Sequence, residues 1–443
     1  MAGGTWDSQN KVRAGVYIRF RSNDTFLPMI GDRGVVAIAE PLSWGPFGVV
    51  SAIEAGTDVT PITGYPMSDS HNRFLQEIFR GSNRTSPAQK VLLWRPTASS
   101  SASATATLGN LTATAKYAGA RGNDISVAII ANTDSTFTVQ TIVDGAIIDA
   151  QTVSAISGLV ANEWVTWSGT GALAANSGTA LTGGANGTVA SSAYATFLTN
   201  IEPYKFNVIC YDGTDATAIA AFVSFVNRIY QENGQYSQLV IANATTPDSP
   251  FVINVMQGVV LADGTTLSAQ QACWWVAGVE AGAKYNESLT FAQYPGSVAV
   301  SSPKTNSQII AALEAGQFVF NSDDGVAKVE SDINSLVTYT EEFGKIYHKN
   351  RVMRLVSQIA NDIYAQFSAN FIGVVNNNET GRSRFKAAIV GYLLEIQSNE
   401  GIQNFSAEDV TVEPGTDIDA IVINIAIQAV DAAEKIYMTI EVA

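Results

Sequence analysis

Val35-Val-Ala-Ile-Ala-Glu40 runs apolar into Pro41, and Val91-Leu-Leu-Trp-Arg95 does the same into Pro96. Near-continuous apolar runs of this length are the pattern of strands buried on both faces of a parallel sheet. Between them, 70–81 carries Phe74, Leu75, Ile78 and Phe79 at helical spacing, with Gly81 as the stop. Strand, helix, strand opens an α/β sheet. The alternation resumes at Lys205-Phe-Asn-Val-Ile-Cys-Tyr211, followed by a helix over 216–231, the strand Gln238-Leu-Val-Ile-Ala242 and a helix over 268–283. One α/β domain is therefore expected over 21–96 together with 200–335.

The gap has a different composition. Residues 97–114 are almost wholly Ser, Ala and Thr, and 168–192 are rich in Gly, Ala, Thr and Ser, so both read as linkers. Short alternating strands are expected between them, over 125–130, 137–143, 146–153 and 163–167, with Asp144-Gly145 as a two-residue hairpin turn. Residues 97–199 thus read as an inserted all-β domain. After a strand over 326–330, a long helix is expected from about 341 to 370. Its core face is Val352, Met353, Val356, Ile359, Ala360, Ile363 and Phe367, with Arg351, Arg354, Gln358 and Asn361 opposite. A second helix, 383–398, leads to the terminal strands, so 336–443 reads as an α+β C-terminal domain.

Both ends of the chain alternate with period two. Val16, Ile18 and Phe20 follow a polar arm that carries Trp6. Ile421, Ile423, Ile425 and Ile427 alternate with polar or small residues, as do Ile436, Met438, Ile440 and Val442. These are half-buried strands with no evident partner nearby in sequence. Such a strand either folds back on its own domain or completes a neighbour's sheet by edge addition. Trp6, with nothing local to bury it, reads as an anchor into a partner.

A chain of 443 residues with 46% hydrophobic and only 15% charged residues is a packed multidomain protein whose surface is largely covered by partners. A net charge of −15 argues against nucleic-acid binding. Cys210 and Cys273 lie in apolar runs and read as buried free thiols. The first residues lack a secretory pattern, and no apolar stretch is long enough to span a bilayer, so synthesis and retention in a cytoplasm are expected.

Catalytic patterns are missing. His71 and His348 are the two histidines, far apart, and no His-Glu-x-x-His, Cys-x-x-Cys, P-loop or Gly-x-Ser-x-Gly occurs. Gly169-Thr-Gly171-Ala-Leu-Ala174 has the form of a dinucleotide fingerprint, but poor helix formers follow it. Asn321-Ser-Asp-Asp-Gly325 reads as a turn, not a calcium loop. No catalytic residue, metal or cofactor is expected.

Several segments resemble the tail sheath proteins of contractile phages and phage-tail-like bacteriocins, especially the smaller type from Gram-positive hosts. They are Gly3-Gly-Thr-Trp6 through Tyr17, Ala115-Lys-Tyr-Ala-Gly-Ala-Arg-Gly-Asn-Asp-Ile125, Trp275-Val-Ala-Gly-Val-Glu-Ala-Gly-Ala283 with Asn286-Glu-Ser-Leu-Thr290, and Asp332-Ile-Asn-Ser-Leu-Val337 through Val352. Ala14 and Ala118 stand where the family pattern has proline. The resemblance implies a passive mechanical subunit. Its rings stack into a helical homopolymer around an inner tail tube, with baseplate and terminator proteins at the ends, and contract to drive the tube through a bacterial envelope. It also implies that the strands over 1–20 and 420–443, including Trp6, Val16, Ile18, Phe20, Ile421, Ile423, Ile425, Ile427, Ile436, Met438 and Ile440, are exchanged between subunits. Nucleic acid and membrane are not partners; the place of the protein is the tail of a virion or tail-like particle. Lys345, His348, Lys349, Arg351 and Arg354 gather at the start of the long helix and form a candidate tube contact. The competing readings are a static shell or tube protein, and an α/β enzyme.

Overall fold

The computed structural model describes residues 30–323 and 325–442, together with the strand pairs Gly3–Gly4 and Val16–Tyr17. The chain divides into two compact units, 32–361 with 431–443, and 1–31 with 362–430.

The first unit is built on an interrupted sheet. Strand β1 (Val35–Ala39) is followed by β2 (Val50–Glu54), helix α1 (Arg73–Ile78) and β3 (Lys90–Trp94). The chain then leaves the sheet for a β-sandwich. Strands β4 (Thr105–Leu108) and β5 (Leu111–Ala115) belong to one layer, and β6 (Ile125–Ala131), β7 (Phe137–Val143) and β8 (Ala146–Val153) to the other. Strand β9 (Val165–Gly169) completes the first layer and β10 (Asn176–Ala180) the second. Asp144 and Gly145 join β7 to β8 with φ of 52° and 78°, the twist that a two-residue hairpin requires.

The Ser/Ala/Thr stretch expected to be a linker supplies two of these strands. Ala106, Leu108, Leu111, Ala113 and Ala115 point into the sandwich core, and Thr105, Thr107, Thr112 and Thr114 alternate with them. The segment is low in complexity but fully patterned. Gly169 ends β9, Gly171 follows it, and the next element is strand β10 and not a helix, so the dinucleotide form has no structural support. Asn321 to Asp323, read in the sequence as part of a turn, lie in strand Phe320–Asp323, which pairs antiparallel with Val326–Val329.

Helix α2 (Ser191–Ile201) returns the chain to the sheet, burying Phe197, Leu198 and Ile201 against the core that holds Trp94 and Ile209. The insert thus ends before this helix, earlier than residue 199. Then come β11 (Val208–Cys210), α3 (Ala216–Asn233), β12 (Gln238–Ala242), β13 (Val252–Val255), α4 (Ala269–Gly282) and β14 (Gln317–Phe318). The sheet has seven strands in the order β14-β13-β12-β11-β1-β3-β2, parallel except for the edge strand β2. Strands from before and after the sandwich meet at β1 and β11.

Helix α4 is buried almost all round, which explains its Ala- and Gly-rich sequence. A Cβ on Gly278 would stand 2.1 Å from the Ile78 carbonyl oxygen, so only glycine lets α1 pack this closely. Trp275 stacks on Tyr294 with centroids 4.5 Å apart and donates from Nε1 to the Gly81 carbonyl at 2.8 Å.

Two buried arginines hold the sandwich to the sheet. Arg95, 2% exposed, donates to the Gly45 carbonyl at 2.5 Å and the Ala118 carbonyl at 2.7 Å, with its guanidinium 3.9 Å over the Phe47 ring. Gly119, φ +143°, must be glycine because a Cβ would lie 2.0 Å from the Ser43 carbonyl oxygen. Arg121, 3% exposed, donates to the Gly64 carbonyl at 2.8 Å and to both oxygens of Asp144 at 2.8 and 2.6 Å.

The second unit contains the later part of α5 (Asn350–Asn370), then α6 (Glu379–Ser398), β15 (Val410–Pro414) and β16 (Ile421–Ile425). Phe367, Phe371 and Phe385 form its aromatic centre, with centroids 4.7 to 5.4 Å apart. Gly3–Gly4 pairs in parallel with Val16–Tyr17.

Replacing 98–189 with a short Gly/Ser loop should leave a central unit that folds cooperatively but melts lower. Arg95 loses its Ala118 acceptor, a cost of about 1–3 kcal/mol. Thermal denaturation followed by circular dichroism checks this; loss of any cooperative transition would show that the sandwich is needed for the central unit to fold.

Candidate functional site

No catalytic constellation forms among the described residues. His71 is exposed, stacked on Tyr65 with centroids 4.0 Å apart, and its Nδ1 lies 2.7 Å from Asp69 Oδ1. His348 lies 2.7 Å from the Leu336 carbonyl through Nδ1, and burial lowers its pKa. Among the described residues no group of three or more His, Cys, Asp or Glu side chains could hold a metal ion, and no helix is long and apolar enough to cross a membrane.

The most concentrated charge chemistry surrounds Arg354, which is 0% exposed. Its Nη1 donates to both oxygens of Glu280 on α4, each at 2.6 Å. Its Nη2 donates to Asp332 Oδ2 at 2.6 Å and to the Glu287 carbonyl at 2.7 Å. Asp332 also accepts from the Leu289 amide at 2.9 Å and from Asn350 Nδ2 at 3.0 Å, and Asn350 accepts from Gln238 Nε2 on β12 at 3.0 Å. Burial pulls the guanidinium pKa down, but Asp332 and Glu280 outweigh it and hold Arg354 charged. One cation thus fixes α4, the loop 284–290, the segment around Asp332 and the start of α5.

This corrects the expected tube-facing patch. The helix begins at Asn350, not near 341; Lys345 to His348 form a short 3-10 turn before it. The first half of α5 is covered on all sides, so Arg351, 8% exposed, and Arg354 do not lie on a solvated face. Gln358 is buried as well. Lys349 forms an ion pair with Glu434, and Lys345 remains exposed. The helical wheel identifies a polar face correctly; the loops that cover it come from distant sequence.

The chain end divides into two parts. Ile421, Ile423 and Ile425 do have a nearby partner, since β16 pairs antiparallel with β15 over five residue pairs. Gln428–Ala429 pairs with Ile402–Gln403, and Ile427 is half-buried just before it. The alternating Val410-Thr-Val412 could have signalled this fold-back. The tail beyond Val430 behaves differently. Glu434 accepts from Thr290 Oγ1 at 2.6 Å and Ser331 Oγ at 3.4 Å, besides its pair with Lys349. Thr290 Oγ1 in turn accepts from the Asp332 amide at 2.9 Å, linking the tail to the Arg354 network. Past this anchor, Ile436, Met438, Ile440 and Val442 are 81, 76, 76 and 92% exposed and belong to no strand. Among the described residues no strand pairs with this segment.

The anchor residue Glu434 was missed in the sequence, although Thr290 ends the Asn286-Glu-Ser-Leu-Thr290 motif that stands out there. Val16 lies in the short parallel ladder; Trp6, Ile18 and Phe20 lie outside the described residues.

Known proteins match the whole of this arrangement. The patterns of the phage tail sheath β-sandwich, central and C-terminal domains match residues 98–186, 187–335 and 344–443. A sheath tail protein from Desulfitobacterium hafniense is 44% identical, with a TM-score of 0.86 over 96% of this chain and 99% of that one. The phage-like element PBSX protein XkdK of Bacillus subtilis is 34% identical over the full length of both chains. The helical sheath of the anti-feeding prophage, solved in a contracted state, shares the fold at 14% identity, with a TM-score of 0.59 over 97% of this chain and 99% of that one.

Arg354→Ala should destabilise the protein by about 3–5 kcal/mol, because Glu280 and Asp332 would be left buried without their cation. Chemical denaturation of the purified monomer measures this. A stability within about 1 kcal/mol of wild type would show that the network contributes little to the fold.

Proposed function

The chain belongs to the phage tail sheath family, and we propose that it polymerises around an inner tube in an extended state and contracts to drive that tube through a bacterial envelope. It is a structural protein, not an enzyme. The observation that carries the mechanism is the tail: an apolar alternating segment, exposed and unladdered, leaves the subunit from a fixed anchor at Glu434. Such a segment is matched to a neighbour's sheet edge, where main-chain hydrogen bonds supply affinity and alternate side chains supply register. Among the described residues strand β16 pairs with β15 alone, which leaves its other edge for an incoming strand. Two passive states joined by such strands let subunit bodies reorient without nucleotide. The baseplate, terminator and inner tube are the further partners of this reading, and the assembled tail is its location.

Tube contact is carried by residues that remain exposed. Lys345 stays a candidate, with His348 and Lys349 half-buried beside it. Residues 362–430 hold three cations, Arg382, Arg384 and Lys386, against nine carboxylates. These three cations, Arg384 exposed and Arg382 and Lys386 half-buried, are the patch we assign to an acidic tube surface. Exposed pairs contribute roughly 0.2–1 kcal/mol each and are screened by salt, so their effect lies in repetition along the tube.

Truncation after Glu434 should leave a folded monomer, by circular dichroism, that forms no sheath in negative-stain images. Normal sheaths from this variant would overturn donation of the tail strand. Deletion of residues 1–14 should have the same effect if the N-terminal arm is exchanged too. Arg384→Glu with Lys386→Glu should abolish tube-templated sheath while tube-free polymers persist; unchanged assembly on the tube would exclude this patch as the contact.

A further inference from the structure

Strands β1 and β11 pair in parallel with Ile38 opposite Cys210, so the register carried two residues on sets Glu40 beside Asp212. This is the point where strand order reverses in the sheet, and where the segment before the inserted sandwich meets the segment after it. By alternation both carboxyls face the core shared by Ile38, Cys210, Cys273 and Trp274. Glu40 is 7% exposed. Its carboxyl is the neighbour of that of Asp212, and its Oε1 is buried with no hydrogen-bond donor facing it. Trp274 Nε1, from α4, donates to Asp212 Oδ2 at 2.9 Å.

Carboxylate oxygens only accept, so two carboxyl groups in hydrogen-bond contact need a proton between them. No cation relieves the site: among the described residues no lysine, arginine or histidine pairs with either carboxyl. The titratable groups that interact with it are Cys210 on β11, Cys273 on α4, Tyr194 on α2 and Tyr211 beside Asp212. All are neutral or acidic. We propose that Glu40 and Asp212 share one proton and act as a proton-operated clasp between the two chain segments that build the central sheet.

The clasp has a defined pH response. Burial, then the neighbouring Asp212, push the Glu40 carboxyl well above its ordinary 4.5, and burial also raises Asp212. The unfolded chain releases the proton near the ordinary value. The clasp's stabilisation is therefore fully present below that pH and is lost as the pH rises through the folded value. Within that window each pH unit lowers the folding equilibrium constant about tenfold.

The test compares urea denaturation of the wild-type monomer and Glu40→Gln from pH 5 to pH 8. The amide donates to Asp212 without a titrating proton. The variant should gain on wild type progressively as the pH rises, and the difference cancels carboxylates common to both. Parallel pH profiles for the two proteins would overturn the proposal. Should Glu40→Gln not fold, Asp212→Asn supplies the same donor from the other side and should flatten the profile equally. As an independent readout, infrared spectra of wild type at pH 7 should contain a protonated-carboxyl C=O band that the folded variant lacks. A wild-type spectrum without that band would also overturn it.

Discussion

The central unit depends on one buried cation. Arg354 reaches Glu280, Asp332 and the Glu287 carbonyl from inside a space that admits no solvent. Each ion alone would be costly to bury; together, with their remaining hydrogen-bond capacity met by Leu289 and Asn350, they are compatible with the interior. The arrangement sets the position of the start of α5 relative to α4 more narrowly than apolar packing could, because bidentate contacts tolerate little displacement.

The same solution recurs at the sandwich. Arg95 caps the Gly45 and Ala118 carbonyls near β3, and Arg121 joins the hairpin aspartate to the loop at Gly64. A domain inserted between two strands of a sheet is connected by two chain crossings, here paired as Ala98–Ser99 with Thr188–Val189. The arginines add contacts that the crossings alone would not provide. A force applied to the insert therefore reaches the sheet through directional hydrogen bonds.

Against these saturated interiors the tail is the exception. Glu434 is held by three donors, yet the next apolar positions are open to solvent. An exposed alternating segment of this kind is an aggregation hazard in a protein that works alone. In the polymer we propose, it is the strand offered to a neighbour, and Thr290 joins its anchor to the Arg354 network.

The sequence by itself determined the elements whose signal is local. The apolar runs ending at Pro41 and Pro96, the helix stop at Gly81, the Asp144-Gly145 turn and the interruption of an α/β pattern by β-strands are all readable, because periodicity and turn chemistry act within a few residues. The resemblance of whole segments identified the family. Other features rest on distant contacts. The Thr/Ala strands β4 and β5 looked like linker, since alanine becomes a core residue only when a second layer covers it. Arg351 and Arg354 looked like a solvated face, since the covering loops come from residues 284–290 and 332. The tertiary structure decided that, among the described residues, Ile421 to Ile425 pair with β15 while Ile436 to Val442 pair with no strand. The physical reason is that alternation states which side chains want burial, whereas the hydrogen-bonding edge that completes a strand is a property of the folded chain.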